Sequence, residues 1–257
     1  MPHAPISKAR NWSRRHPVAC QYRAPSGFPT DHRTSFVDRW GGWWVTGSLG
    51  PTRHIGNKPI STASTADSVK PEARDLASPT GQFDTTGYPS AQSDVVALMV
   101  LEHQAHMTNL ITRMGWEARL AAYDRRPSDL QRVQEAAADL VDYLLFVYEA
   151  PLPGKVRGAS GFSEKFAALG PNDSHGRSLR QLDLETRLVR YPCSSMTYSD
   201  AFSALPGSAK DLVYRRLWQV LSARDKAPRY ARLSAADRRA IIEILRDTKK
   251  DLPDYFH

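Results

Sequence analysis

Two cysteines among 257 residues leave this chain little covalent cofactor chemistry. A zinc site built on several thiolates and a Cys-x-x-Cys-His haem attachment are both excluded for the sequence as written. Cys20 and Cys193 could form one disulfide, but Cys20 lies in a stretch poor in order signals. Both are read as free thiols, with Cys193 packed. Long apolar runs are also missing. The longest, Val95 to Leu101, ends at Glu102 and His103, well short of the roughly 18 to 20 apolar residues of a membrane helix. No apolar stretch follows the basic residues of the N-terminus, so the sequence as written carries no export signal and reads as cytoplasmic. A Gly-x-Ser-x-Gly elbow is absent, and Gly158-Ala-Ser160-Gly161 reads as a turn. Phosphate-cradling glycine loops are absent too.

What is present is ordinary for a globular chain, with 41% hydrophobic and 24% charged residues. The net charge of +8 is concentrated at one end: residues 1 to 54 hold eight Lys/Arg against Asp31 and Asp38. A basic arm can hold nucleic acid by counterion release. Met1 to Arg23 lacks helical periodicity, strand alternation and clustered aromatics for base stacking. Nucleic acid is therefore not the expected partner, and residues 1–26 read as a disordered or misassigned N-terminus.

Two further zones follow. Residues 27–92 are rich in Gly, Pro, Ser, Thr and Trp and predict loops and short extended pieces, with a polar surface excursion from Ser61 to Ala77. Residues 93–257 predict a helical domain. Ser93 or Asp94 caps a first helix with apolar positions Val95, Leu98, Met99, Leu101, Leu110, Ile111, Met114 and Leu120, running to about Tyr123. Pro127 forbids its continuation. A second helix starts at Ser128 or Asp129, carries Val133, Ala137, Leu140, Leu144 and Val147, and stops before Pro151. The pair is expected to be antiparallel. Shorter helices are predicted at Ser163–Leu169, Leu179–Arg190, Ser208–Leu221 and Ser234–Lys249, the last opened by a capping box of Ser234 and Asp237. The fold expected is mostly α, an irregular helical domain preceded by a Trp/Gly-rich loop region.

Two clusters could carry chemistry. On a helix, His103 and His106 are three residues apart, and Glu102 and His106 four, so each pair shares a face, with Asn109 one turn on. Two imidazoles at this spacing can bind a metal, or one can ligate a haem iron while the other orients it. The same residues also suit a buried, internally hydrogen-bonded pair. The pattern is neither the His-Glu-x-x-His of metalloproteases nor the Glu-x-x-His of di-iron helices. The second cluster comprises Asp31-His32-Arg33, Asp38-Arg39-Trp40-Gly41-Gly42-Trp43-Trp44 and Arg53-His54-Ile55-Gly56-Asn57. Its tryptophans, Trp43 among them, can wall a planar ligand, with His54 as an axial ligand or acid/base. Alternatively, the loop packs as a lid on the helices.

The strings Thr30-Asp-His-Arg-Thr-Ser-Phe36, Asp38-Arg-Trp-Gly-Gly-Trp-Trp-Val-Thr-Gly-Ser48, Arg53-His-Ile-Gly-Asn57, Leu101-Glu-His-Gln-Ala-His-Met-Thr-Asn109 and Tyr191-Pro-Cys-Ser194 resemble those of a group of largely uncharacterised bacterial proteins that carry a c-type cytochrome domain. Shorter matches at Ser93-Asp-Val-Val-Ala-Leu98, Gly161-Phe-Ser-Glu164, Gly176-Arg-Ser-Leu-Arg180 and Leu252-Pro-Asp-Tyr255 extend the likeness over about nine-tenths of the chain. The resemblance implies an exported, periplasmic protein in which a Cys-x-x-Cys-His haem motif precedes the Trp-rich segment. That motif is missing here, which reads as a truncated gene start or a variant without covalent haem. Relatives often carry His-Met-Gly-Asn where this chain has His54-Ile-Gly-Asn57.

The first expectation is thus the C-terminal part of a c-type-cytochrome-like protein, working in haem-linked electron transfer with a redox partner or an N-terminal haem domain. His54, His103, His106 and Trp43 are its cofactor-binding candidates, and His54, His103, His106 and Glu102 its metal-ligating candidates. Its rival is a cofactor-free helical binding or structural module. A third reading is a metal-dependent enzyme built on the His103/His106 helix. An enzyme is the less expected outcome.

Overall fold

The computed structural model describes residues 30–41, 43–57, 70, 75–82, 84–152 and 154–257. The expectations for residues 1–26, and for most of the Ser61–Ala77 excursion, lie outside the described residues. Six α-helices carry the described chain: α1 (Val95–Asp124), α2 (Pro127–Leu144), α3 (Phe162–Ala168), α4 (Asp200–Ser203), α5 (Gly207–Leu221) and α6 (Ala235–Thr248). Among the described residues extended structure is confined to isolated bridges. The mostly α architecture expected from periodicity is the one found.

Punctuation sets the helix boundaries. α1 ends where Arg125 turns left-handed at φ 54°, and Pro127 opens α2, so the two long helices double back on each other. Ser234 and Asp237 form the expected capping box on α6. Three expectations fail. α2 stops at Leu144, and Phe146 and Tyr148 have φ of 54° and 64°, so the chain unwinds before Pro151. The stretch expected as a helix over Leu179–Arg190 is a tight turn bridged between Leu182 and Val189. There the Asp183 carboxylate accepts the backbone N–H groups of Glu185 and Thr186. Such local bonds compete with a helical ladder. Leu101 also departs from the expected inward stripe and stands 58% exposed.

Two hydrophobic clusters result. The larger joins α1, α2, α5 and α6 through residues such as Met107, Met114, Leu140, Leu217 and Ile244, and takes in Cys193, which is fully buried as expected. The smaller joins Phe36, Trp40, Val45 and Leu49 to Val95, Val96, Met99 and Val100 of α1, with Phe146, Phe166 and Leu188. The boundary expected at residue 93 therefore does not separate two cores. The Trp/Gly segment shares its core with the first turns of α1.

Asp94, at the start of α1, ties that helix to the turn at Ala159 and Ser160. One carboxylate oxygen caps α1 by accepting the N–H groups of Val96 (2.8 Å) and Ala97 (3.1 Å). The other accepts from the Ala159 and Ser160 N–H groups and the Ser160 hydroxyl, each at 2.8 Å. A Cβ on Gly158 would lie 2.5 Å from this carboxylate, so only glycine allows the approach. Thr46 pairs alongside, its N–H donating to the Ser93 carbonyl and its carbonyl accepting from Val95. Burial opposes the charge of Asp94, but the bonds from Ser160, Ala97 and Val96 outweigh it and hold its pKa below the ordinary value of 3.8.

Asp94→Ala should cost about 2–4 kcal/mol in urea denaturation, because one change removes a helix cap and strands two further backbone donors. A folded-state pKa below the unfolded one gives stability that is present above pH 3.8 and lost as the pH falls through the lower folded value. The deficit of the variant should therefore shrink in acid.

Candidate functional site

The candidate histidines and Glu102 meet the N-terminal segment along one side of α1. Asp31 begins the contact. Its carboxylate accepts the Arg33 backbone N–H at 2.8 Å and the Arg33 guanidinium at 2.6 Å, which narrows the choice of side-chain directions in Asp31-His32-Arg33. A single 3-10 turn, Phe36–Asp38, then delivers Arg39 and Trp40 to α1. Arg39 is only 2% exposed. Its guanidinium donates twice to the Thr34 carbonyl (2.9 and 2.7 Å), once to Glu102 (3.3 Å), and lies 4.2 Å over the Phe36 ring. Trp40 adopts φ 65°, a conformation costly for a bulky residue. Its indole N–H donates to the other oxygen of Glu102 at 2.6 Å, and its ring packs edge-on against His54.

Glu102 thus faces a guanidinium and an indole in a largely dry place. Burial, the largest influence, raises its pKa to about 7, although Arg39 and Trp40 both favour the charged form. Burial also lowers the pKa of Arg39. Desolvation outweighs pairing on both sides of this ion pair.

His103, one residue on, points into the core. Its Nδ1 lies 2.8 Å from Nδ1 of His32, and its Nε2 lies 2.7 Å from the hydroxyl oxygen of Ser194. The ring is stacked nearly parallel to both Tyr143 (5°) and Phe146 (11°). Burial pushes its pKa down to about 3, and that of His32 well below the usual range, so both are neutral at pH 7. His106 lies nearer the surface. Its Nε2 sits 3.3 Å from the Arg33 guanidinium, so this nitrogen accepts, and burial followed by Arg33 lowers its pKa.

His54 belongs to the neighbouring loop. Its Nδ1 accepts the Gly56 N–H at 3.0 Å, and burial lowers its pKa to about 4. A Cβ at Gly56 would lie 2.8 Å from that same nitrogen and 2.9 Å from the Trp40 carbonyl oxygen. The loop is closed by Asn57, whose side chain accepts from the Val45 N–H (2.6 Å) and donates to its carbonyl (3.1 Å). Of the three tryptophans, Trp40 is 5% exposed, Trp44 half-buried and Trp43 59% exposed. The loop packs chiefly as a lid, with Trp43 left outside.

The structure therefore places the four metal-ligating candidates in different surroundings. Glu102 is engaged by Arg39 and Trp40, His103 by His32 and Ser194, His106 by Arg33, and His54 by Gly56. Among the described residues no group of three or more His, Cys, Asp or Glu side chains is arranged to hold a metal ion. A ligating imidazole donates its other ring N–H and offers a lone pair to the metal. His54 does the reverse, accepting on Nδ1, so its neutral ring carries the proton on Nε2. Both nitrogens of His103 are already bonded. As folded, each of the four side chains is committed to protein partners of its own.

Sequence reading placed the two histidines of α1 but missed their partners His32, Tyr143 and Ser194. His32 and Ser194 lie 71 and 91 positions from His103, and nothing local announces the pairing. The Ser194–His103 bond has the spacing of a nucleophile and its base. Ser194 is only 1% exposed, however, its oxygen also accepts the Met196 N–H, and the adjoining cavity measures about 10 Å³. Such a space admits about one water molecule, and the bonds that Ser194 makes cap the turn that follows it.

No helix among the described residues is long and apolar enough to cross a membrane. Searches against protein-family models, curated proteins and solved structures return no match for the chain.

The pH dependence of the Glu102 contact gives a test of the site. A carboxyl whose folded pKa is raised contributes stability that is present below its unfolded value of 4.5 and lost as the pH rises through about 7. Glu102→Gln lacks this titration. Its melting temperature should approach or overtake that of the parent as the pH rises across that window, and a constant difference from pH 4.5 to 8 would contradict the burial of Glu102.

Proposed function

We propose that this chain is a cofactor-free helical binding or structural module, in which the histidines of α1 serve to lock the Trp-rich segment onto the helices. The observation that carries this reading is the allocation of ring nitrogens. His103 has both in hydrogen bonds, while His54 and His106 each accept with one. In each neutral ring the lone pair that a metal would take is already directed at a protein donor. The near-parallel stacking of His103 with Tyr143 and with Phe146 supports the same role, since a ring held by two aromatic neighbours and at both nitrogens serves packing.

A second reading keeps the chain as the helical body of a c-type-cytochrome-like protein, exported and linked to haem-based electron transfer with a redox partner. One observation favours it. The strings that carry the resemblance converge in space, since Asp31, His32, Arg33, Arg39, Trp40, His54, Glu102, His103, His106 and Ser194 form one connected network. On that reading the network braces the face around Trp43, and the haem is held by residues other than these histidines.

One experiment separates the readings. The chain is expressed in a bacterial periplasm with haem supplied, purified, and measured by absorption spectroscopy and metal analysis. A folded, colourless, metal-free protein is expected. Any Soret band would sink the cofactor-free reading: a band that survives both His54→Ala and His103→Ala favours the second reading, a band that disappears in either assigns the haem to that histidine, and stoichiometric zinc or iron without a band favours the metal-dependent alternative.

A further inference from the structure

We propose that α1 is also a self-association surface, on which a second copy of this chain docks its own α1 antiparallel, with the two-fold axis at Thr112. The solvent face of α1 carries Leu101, Ala105, Thr108, Thr112, Trp116, Arg119 and Tyr123, spaced three and four residues apart and all exposed. Leu101, Trp116 and Tyr123 are 58%, 63% and 86% exposed, a large apolar area for one helix of a monomer.

The two threonines make this face more apolar than their names suggest. Thr108 donates its hydroxyl to the Gln104 carbonyl and Thr112 to that of Thr108, each at 2.8 Å. Their hydrogen-bonding needs are met within the helix, and their methyl groups are left to line the surface.

Charge points the same way. Glu102 is paired with Arg39, Arg113 with Asp139, Glu117 with Arg132 and Asp124 with Arg126. Arg119 is the one charged member of the stripe, and its guanidinium lies back over Gly115, 2.9 Å from where a Cβ there would stand.

The order of residues argues for a second copy as the occupant. About Thr112 the stripe complements itself when reversed. Leu101 meets Tyr123 of the other copy, Ala105 meets Arg119, Thr108 meets Trp116, and Thr112 meets itself. In the middle of the stripe Ala105 and Thr108 thus fall opposite the larger Arg119 and Trp116, and at each end Leu101 and Tyr123 form an apolar pair. No charge meets its like, and the residue on the axis is small and neutral. Leu101 to Tyr123 spans about 33 Å at 1.5 Å per residue. A single helix pair of that length is a small interface, so the dimer is weak and reversible.

Sedimentation equilibrium over a concentration series up to about 1 mM, together with cysteine crosslinking, tests the surface and its register. In a Cys20→Ser background, where the remaining Cys193 is buried, Thr112→Cys should form an interchain disulfide about tenfold faster than Leu169→Cys, an exposed control, because docking raises the local thiol concentration. Ala105→Cys alone should crosslink at the control rate, and Ala105→Cys combined with Arg119→Cys at the fast rate. Thr112→Arg, which sets two like charges on the axis, should keep its circular dichroism and sediment as a monomer. A parent chain that stays monomeric throughout the series, or a dimer that survives in Thr112→Arg, overturns the proposal. So does Thr112→Cys crosslinking no faster than the control.

Discussion

The anchoring of the N-terminal segment on α1 through Glu102 and His103 is the constraint on which the rest of this structure depends. Residues 30–41 and 43–57 have almost no regular secondary structure of their own. Their backbone groups still require partners where they are buried. Side chains supply many of these: the Arg39 guanidinium takes the Thr34 carbonyl, and the Asn57 amide serves both backbone groups of Val45. Others are met by single pairings with distant strands of chain, as where the Ala150 N–H donates to the His32 carbonyl and Ser48 pairs with Arg157. A loop satisfied in this piecemeal way holds its shape only if its ends are fixed. The pairing of Thr46 with Ser93 and Val95 fixes one side, and Glu102 with His103 the other.

Burying two histidines, an arginine and a glutamate in one region carries a desolvation cost that well-packed hydrophobic side chains would avoid. The return is directionality. An apolar contact between the segment and α1 would tolerate sliding, whereas a bond from the Trp40 indole to one Glu102 oxygen and from Arg39 to the other fixes a single register. It also explains how Trp40 is held at a positive φ: edge contact with Phe36 and His54, and the 2.6 Å bond to Glu102, oppose any relaxation of its backbone. At His103 both ring nitrogens are engaged in the same region, by His32 and Ser194.

Helix positions were legible because they rest on local rules. Period, caps and the Pro127 break placed α1, α3, α5 and α6, and the start of α2, within a few residues. What escaped depended on tertiary context. Leu179–Arg190 has apolar residues at spacings compatible with a helix, yet Asp183 diverts its backbone and the second core claims Leu188 and Val189. The early end of α2 follows from Phe146, which leaves the helix to stack on His103. For the site, the sequence showed which residue types stood together on α1 but not what they would face. His103 could be read as ligand or core residue until His32 and Ser194 were seen at its two nitrogens. Trp40 and Trp43 were equal members of one loop until packing buried the first and exposed the second.

α1 is unusual in being apolar on more than one side, and this mixes signals that are separable only in space. Val96, Met99 and His103 face the N-terminal segment and its core, Met107, Ile111 and Met114 face α2 and α5, and Leu101, Trp116 and Tyr123 face solvent. A surface helix ordinarily confines its apolar residues to one stripe and places charges opposite. Here the opposite face has one charge, two threonines that satisfy themselves and an alanine. Solubility alone would select lysine and glutamate at such positions, which suit a helix equally well. Their absence along six turns therefore needs a cause other than helix formation or core packing, and a contact made by that face is the simplest physical one.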